Sequence, residues 1–293
     1  MSSRREFITL LGGATAWPLA ARAQQAMPVI GFLRSTSLAD ATHLMAAFGQ
    51  GLREAGFIEG QNVAIEYRSA EDRADRLPVL VAELVRRQVV LIVGNTPSAL
   101  VAKAVTTTVP IVFVTGSDPV VDGLVASLSR PGGNTTGVSF LSGALGTKRL
   151  ELLRQLVPRA GTIAVLVDPY TPEADSERKD VQAAANAIGQ QLIVVDVGSD
   201  RDFEAAFATF AQRGAGALFG GTVAFLNSHR ERVVALAARH ALPACYALRE
   251  FATAGGLMSY GTSITDAYRL AGIRAHCQGR EAGRAAGSAI DEV

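Results

Sequence analysis

Cysteine is nearly absent: Cys245 and Cys277 are the only two in 293 residues. Such a chain has no disulfide framework and no cysteine-built metal cluster. Aromatic residues are scarce at 6%, and Trp17 is the single tryptophan. Charge of one sign is lacking too, because 28 basic residues face 27 acidic ones. That balance gives no electrostatic grip on nucleic acid or on acidic membranes. Catalytic motifs are also missing. The sequence holds no Gly-x-Ser-x-Gly elbow and no His-Glu-x-x-His zinc helix. Gly143 to Lys148 evokes a phosphate loop, but its spacing is wrong, and it reads as a turn. Gly214-Ala215-Gly216 precedes a strand, whereas a dinucleotide fingerprint follows one, so it too reads as a turn. His43, His229 and His240 fall in helical patterns without metal-ligand spacing. Asp118 and Glu250 are acid/base candidates that nothing in the sequence brings together. The inventory suits a binding protein rather than an enzyme, and no cofactor is expected.

What is present is apolar: 48% of the chain is hydrophobic and 19% charged. A chain so apolar can offset its ordering entropy and fold. Residues 1–23 read as a signal peptide. Arg4 and Arg5 precede Glu6-Phe7-Ile8, an apolar run too short to span a bilayer follows, and Ala21-Arg22-Ala23 is a small-x-small cleavage site. The paired arginines resemble a twin-arginine export signal, although Sec export is the alternative.

Beyond Met27, short apolar runs alternate with helical patterns. Val29 to Leu33, Val63 to Tyr67, Val89 to Val93 and Ile111 to Val114 read as strands, separated by helices over His43–Ala55, Ala74–Arg87 and Pro97–Val105. The rhythm restarts with strands at Thr162–Val167, Leu192–Val195, Ala217–Phe219 and Pro243–Tyr246. Helices over Glu173–Ile188, Phe203–Gln212 and Ser228–His240 lie between them. Short buried strands separated by helices imply βαβ units and parallel sheets. The expected fold is α/β, two doubly wound parallel-sheet lobes facing each other across a cleft. The N-terminal lobe spans 28–142 and the C-terminal lobe 143–261.

In open α/β sheets a ligand sits beyond the carboxyl ends of the strands. The polar residues at those ends are therefore the candidate substrate-binding set: Ser35, Thr96, Ser98, Ser117 and Asp118 from one lobe, with Thr222, Tyr246 and Glu250 from the other. Asp118 is the candidate partner for a cationic group. Ser98, beside a helix start, is the candidate for an anionic one, and Tyr246 for stacking.

Several blocks resemble one family. They are Thr96-Pro97-Ser98-Ala99-Leu100, Gly116-Ser117-Asp118-Pro119-Val120, Gly123 to Asn134, Asn227 to Pro243, Arg249-Glu250-Phe251 and Gly255 to Gly261. As a set, spread over Pro28 to Ile273, they are similar to bacterial ABC-transporter substrate-binding proteins related to tryptophan/tyrosine-uptake receptors. The resemblance implies a periplasmic-binding-protein type I fold that closes on a small solute. It also implies a monomer in the periplasm that delivers to an ABC permease and ATPase, after passage through export machinery. A ligand-sensing protein feeding a signalling partner, or an exported cofactor enzyme, are the rival readings.

The chain departs from the resemblance in three places. The loop Gly221 to Phe225 lacks the acidic residue the family usually carries there, and Leu248 stands where an aromatic is common. After Ile273 apolar periodicity vanishes, so 262–293 reads as a crossover helix followed by an aberrant tail. Glu281 to Val293, back-translated and read one base later, gives Lys-Pro-Ala-Glu-Leu-Pro-Val-Gln-Gln-Ser-Thr-Lys, like the family's missing loop. A frameshifted tail is the expectation.

Overall fold

The computed structural model describes residues 27–140, 145–170, 174–221 and 224–275. The signal segment, Thr222 and the tail from His276 lie outside the described residues.

The first sheet is formed by β1 (Val29–Arg34), β2 (Ala64–Ser69), β3 (Leu91–Asn95), β4 (Ile111–Thr115) and β5 (Thr135–Ser139), in the order β2-β1-β3-β4-β5 with every pair parallel. Alternate residues of β1 face opposite cores, as the twofold strand period demands. Ile30 and Phe32 pack under α1 (Thr42–Glu54) with Leu44 and Phe48. Leu33 turns to the other face, against α2 (Leu77–Arg86) and α3 (Thr96–Val105). Helices thus cover both faces, which is why β1, β3 and β4 read as unbroken apolar runs.

The second lobe begins with α4 (Gly146–Leu156). Its strands are β6 (Thr162–Val167), β7 (Gln191–Asp196), β8 (Ala217–Phe219), β9 (Ala244–Tyr246) and β10 (Met258–Ser259), ordered β7-β6-β8-β9-β10 and again parallel. Between them run α5 (Ala174–Ala187), α6 (Asp202–Gln212), α7 (Ala224–Ser228), α8 (Arg230–Arg239) and α9 (Arg249–Thr253). Phe203, Phe207 and Phe210 of α6 are fully buried. Each such side chain contributes about 1.5–3 kcal/mol by leaving water.

The two strand orders are the same pattern, so the halves are topological repeats. Each half has five strands where the sequence reading draws four. Edge strand β5 was missed because Thr135-Thr136-Gly137-Val138-Ser139 has a single large apolar residue. At two residues, β10 is too short to show a period. Helix α4 corrects the reading of Gly143 to Lys148 as a turn, since Gly146, Thr147 and Lys148 form its first turn.

After β10 the chain returns to the first lobe. Thr262 Oγ1 donates to the Phe140 carbonyl at 2.6 Å, and a final helix, α10 (264–275), lies against α1. The contact is close because both helices present glycine. A Cβ on Gly51 would stand 1.8 Å from the Arg269 carbonyl oxygen, and one on Gly272 2.3 Å from that of Phe48. Arg269 Nη1 meets Glu54 Oε2 at 2.6 Å across the same seam.

Candidate functional site

In sheets of this order a crevice opens where the connections diverge, beside the first strand. Here that is between β1 and β3 in one lobe and between β6 and β8 in the other. The lobes turn these crevices toward each other. The main cavity between them encloses about 50 Å³. Arg34, Thr96 and Ser117 line it from the first lobe, Asn227 and Leu248 from the second, and Tyr268 from α10. A second cavity of about 60 Å³ adjoins it, sharing Pro97 and Ala224, and is lined by Ser35, Thr36, Asp72, Asp168 and Tyr170. Spaces of this size hold a few waters, well below the roughly 300–1,000 Å³ of ligand pockets.

The first-lobe wall is held by two hydrogen-bond chains. Thr96 Oγ1 donates to Thr115 Oγ1 at 2.9 Å, and Thr115 Oγ1 lies 2.8 Å from Ser117 Oγ, which donates onward to Asp122 Oδ2. Burial pushes the Asp122 carboxyl above its ordinary range, and the bonds from Ser117 and Thr115 oppose that shift. In the second chain, Asn95 Nδ2 donates to Ser35 Oγ at 2.7 Å, while Ser98 Oγ and the Ser35 amide both donate to Asn95 Oδ1. Asn95 thereby stitches the end of β1 to the first turn of α3. Its side chain is occupied there and leaves the α3 N-terminus uncapped.

Arg34 ends the buried strand β1 and is only 3% exposed. Its Nη1 donates to the Tyr268 hydroxyl and its Nη2 to Thr36 Oγ1, each at 2.7 Å. Its Nε is buried without a partner. Across the cavity Asn227, 4% exposed, keeps an unpartnered Oδ1. In the adjoining cavity burial raises the carboxyls of Asp72 and Asp168. His229 counters the shift at Asp72, and the Tyr170 amide counters it at Asp168.

The residues expected from sequence divide. Thr96 and Ser117 line the main cavity, and Ser35 lines the second. Ser98 is fully buried and spends its hydroxyl on Asn95. Asp118 is exposed, with Oδ1 accepting from the Val120 amide at 2.8 Å, so it caps a turn. Tyr246 is buried in the second core, its ring stacked on Phe251 at 4.5 Å. Glu250 Oε1 accepts from Thr265 Oγ1 at 3.0 Å, tying α9 to α10 rather than lining either cavity. Thr222 is outside the described residues. The loop at Gly221 is not far from an acid, since Glu177 Oε1 of α5 lies 2.7 Å from where a Gly221 Cβ would stand.

The candidate set leaves out three residues that line the main cavity, Arg34, Asn227 and Tyr268. Arg34 carried a signal, a cation closing an apolar strand. The other two are placed only by the folding of the second lobe and α10.

Residues 29–276 match the family model described as ABC transporter substrate binding protein. A 132-residue stretch is 35% identical to a "Tyrosine-binding protein" of Clostridioides difficile (strain R20291), covering 44% of this chain. The match spans only 37% of that relative's length. Among solved structures, the fold is similar to an ABC domain in complex with L-Trp from Streptococcus pneumonia. The TM-score is 0.77 at 22% identity, over 87% of this chain and 85% of that one. It is also similar to a ligand-free, open substrate binding protein with adhesive properties from Clostridium difficile, with a TM-score of 0.55 at 23% identity, over 89% and 85% of the two chains. At these identities the structures show the shared fold. With a family model covering nearly all described residues, the chain belongs to the ABC transporter substrate-binding protein family.

Proposed function

We propose that this protein is the solute receptor of an ABC importer and captures a small polar solute, an amino acid or a related molecule, between its two lobes. It works as an exported monomer in the periplasm and hands the solute to a permease and its ATPase. It performs no catalysis. The observation that carries this reading is the cavity lined at once by β1, β3 and β4 ends, by α7 and by α10. A solute held there touches both lobes only when they are closed. It therefore favours the closed state by its differential contacts, and the lobes swing on the two connections, after β5 and after β10. The names of the relatives, which bind tyrosine or L-Trp, support an amino acid or similar compound.

A thermal-shift screen against amino acids, nucleosides and small carboxylates tests the proposal. A ligand at a hundredfold its Kd adds about 2.7 kcal/mol of stability, which raises the melting temperature by several degrees. No shift with any member of the panel contradicts the reading. Export makes its own prediction. Mass spectrometry of the mature protein should show a start near Gln24, after removal of the segment ending at Ala23, whereas a retained Met1 contradicts it.

A further inference from the structure

Two residues that line the main cavity, one from each lobe, each carry a buried polar atom that the fold leaves without a partner. Arg34 is held rigidly, with Tyr268 and Thr36 taking its two terminal nitrogens, while Nε is left over. Asn227 is anchored in α7 and leaves Oδ1 over. A buried donor or acceptor left unmade is unfavourable, and more so on a charged group. Two such atoms on residues that line one cavity from opposite sides are the groups a bound molecule could complete once the lobes part. The cavity wall also includes Thr96, the first residue of the ten-residue helix α3, whose N-terminus has no side-chain cap. Helix N-termini favour anions. Arg34 is the one formally charged residue among the described residues that line this cavity. The cleft's carboxylates, Asp72 and Asp168, line the adjoining cavity instead.

Resting on the receptor reading above, we infer that Arg34 and Asn227 are the specificity-determining pair of the cleft, and that the solute is a small organic carboxylate carrying a neutral hydrogen-bond donor and an apolar body. The carboxylate meets Arg34 and the start of α3. The donor, a hydroxyl or an amide N–H, meets Asn227 Oδ1. The apolar body rests on Val114, Phe140, Leu248 and Ile264, which complete the walls. A zwitterion is the poorer fit. Its ammonium would be desolvated against a neutral amide oxygen, with no carboxylate among the described residues that line this cavity, and burying a charge without a charged partner is strongly unfavourable.

Calorimetric titration of the full protein at pH 7 reads this directly. The probes are L-amino acids with apolar side chains, the matching 2-hydroxy acids, and the matching primary carboxamides. For the side chain that binds best, the hydroxy acid is expected to bind at least tenfold tighter than the amino acid, and the carboxamide at least a hundredfold weaker than the hydroxy acid. The ligand series needs no variant and so does not depend on one folding. Arg34→Gln should bring the acid-to-amide ratio close to one, and Arg34→Lys should restore part of it. Asn227→Ala should erase the preference for a hydroxy acid over its deoxy analogue. Equal binding of acid and amide, tighter binding of the amino acid, or tight binding of an uncharged sugar or nucleoside unaffected by Arg34→Gln would each overturn the inference while leaving a solute receptor intact. No binding by any of these compounds or by the wider thermal-shift panel contradicts the receptor reading itself, and this inference with it.

Discussion

Ser98 and Thr96 sit two residues apart at one helix start, and the sequence offers no way to rank them. The fold separates them. Ser98 points its hydroxyl back to Asn95, whereas Thr96 lines the cavity with Ser117 and donates to Thr115 behind it. Asp118 and Arg34 part in the same way, since an acid after a strand can cap its own turn, while the buried guanidinium is held by the side chains of Tyr268 and Thr36. His43 on α1 is a further example, a half-buried ring whose Nε2 has no partner. Burial first and the Arg230 charge second hold its pKa below the ordinary 6.5, Glu250 opposes them, and Arg34 adds to the lowering. The native state therefore binds this proton less readily than the unfolded chain. Its contribution is complete above about pH 6.5 and is lost as pH falls toward and through the native value. The urea midpoint should thus fall more steeply between pH 7 and pH 5 in the wild type than in His43→Gln. Parallel profiles would show that His43 is not the group responsible.

Among elements, strands with a clear apolar run were legible, the edge strands β2 and β7 included, whereas β5 and β10 were not. β6 and β8 are found at the residues expected, Thr162–Val167 and Ala217–Phe219, because they are central in a parallel sheet and, after Thr162, apolar throughout. β5 and β10 lie at sheet edges, where pairing on one side relaxes the need for large apolar residues. The packing of α10 on α1 could not be read at all, since Gly51 and Gly272 look like weak helix positions until their backbones are seen to touch. That contact makes a sharp prediction. A Cβ at Gly51 has no room against the Arg269 carbonyl, so Gly51→Ala must push the helices apart. Overpacking of this kind costs about 1–3 kcal/mol, despite alanine's better helix propensity. Thermal unfolding should show a melting temperature lower by several degrees, and an unchanged or higher value would mean that α10 does not pack as described.

For the whole molecule, the repeated strand order was visible as a rhythm of apolar runs. The cleft between two facing lobes followed from that rhythm, but the residues that meet in it did not. A sequence records which residues end strands, but it does not record that β1 of one lobe, α7 of the other and a returning α10 converge on a single cavity. That convergence is also why, of the seven described residues among the eight candidates chosen by strand position, three line a cavity, while Arg34 and Asn227 were not chosen. The central claim is that this convergence captures a solute. The most direct test is a crystal structure of the protein with the compound that gives the largest thermal shift. The account predicts that compound between the lobes, in contact with Arg34 and Thr96 on one side and Asn227 on the other. A compound bound elsewhere on either lobe, with the cleft empty, would contradict it.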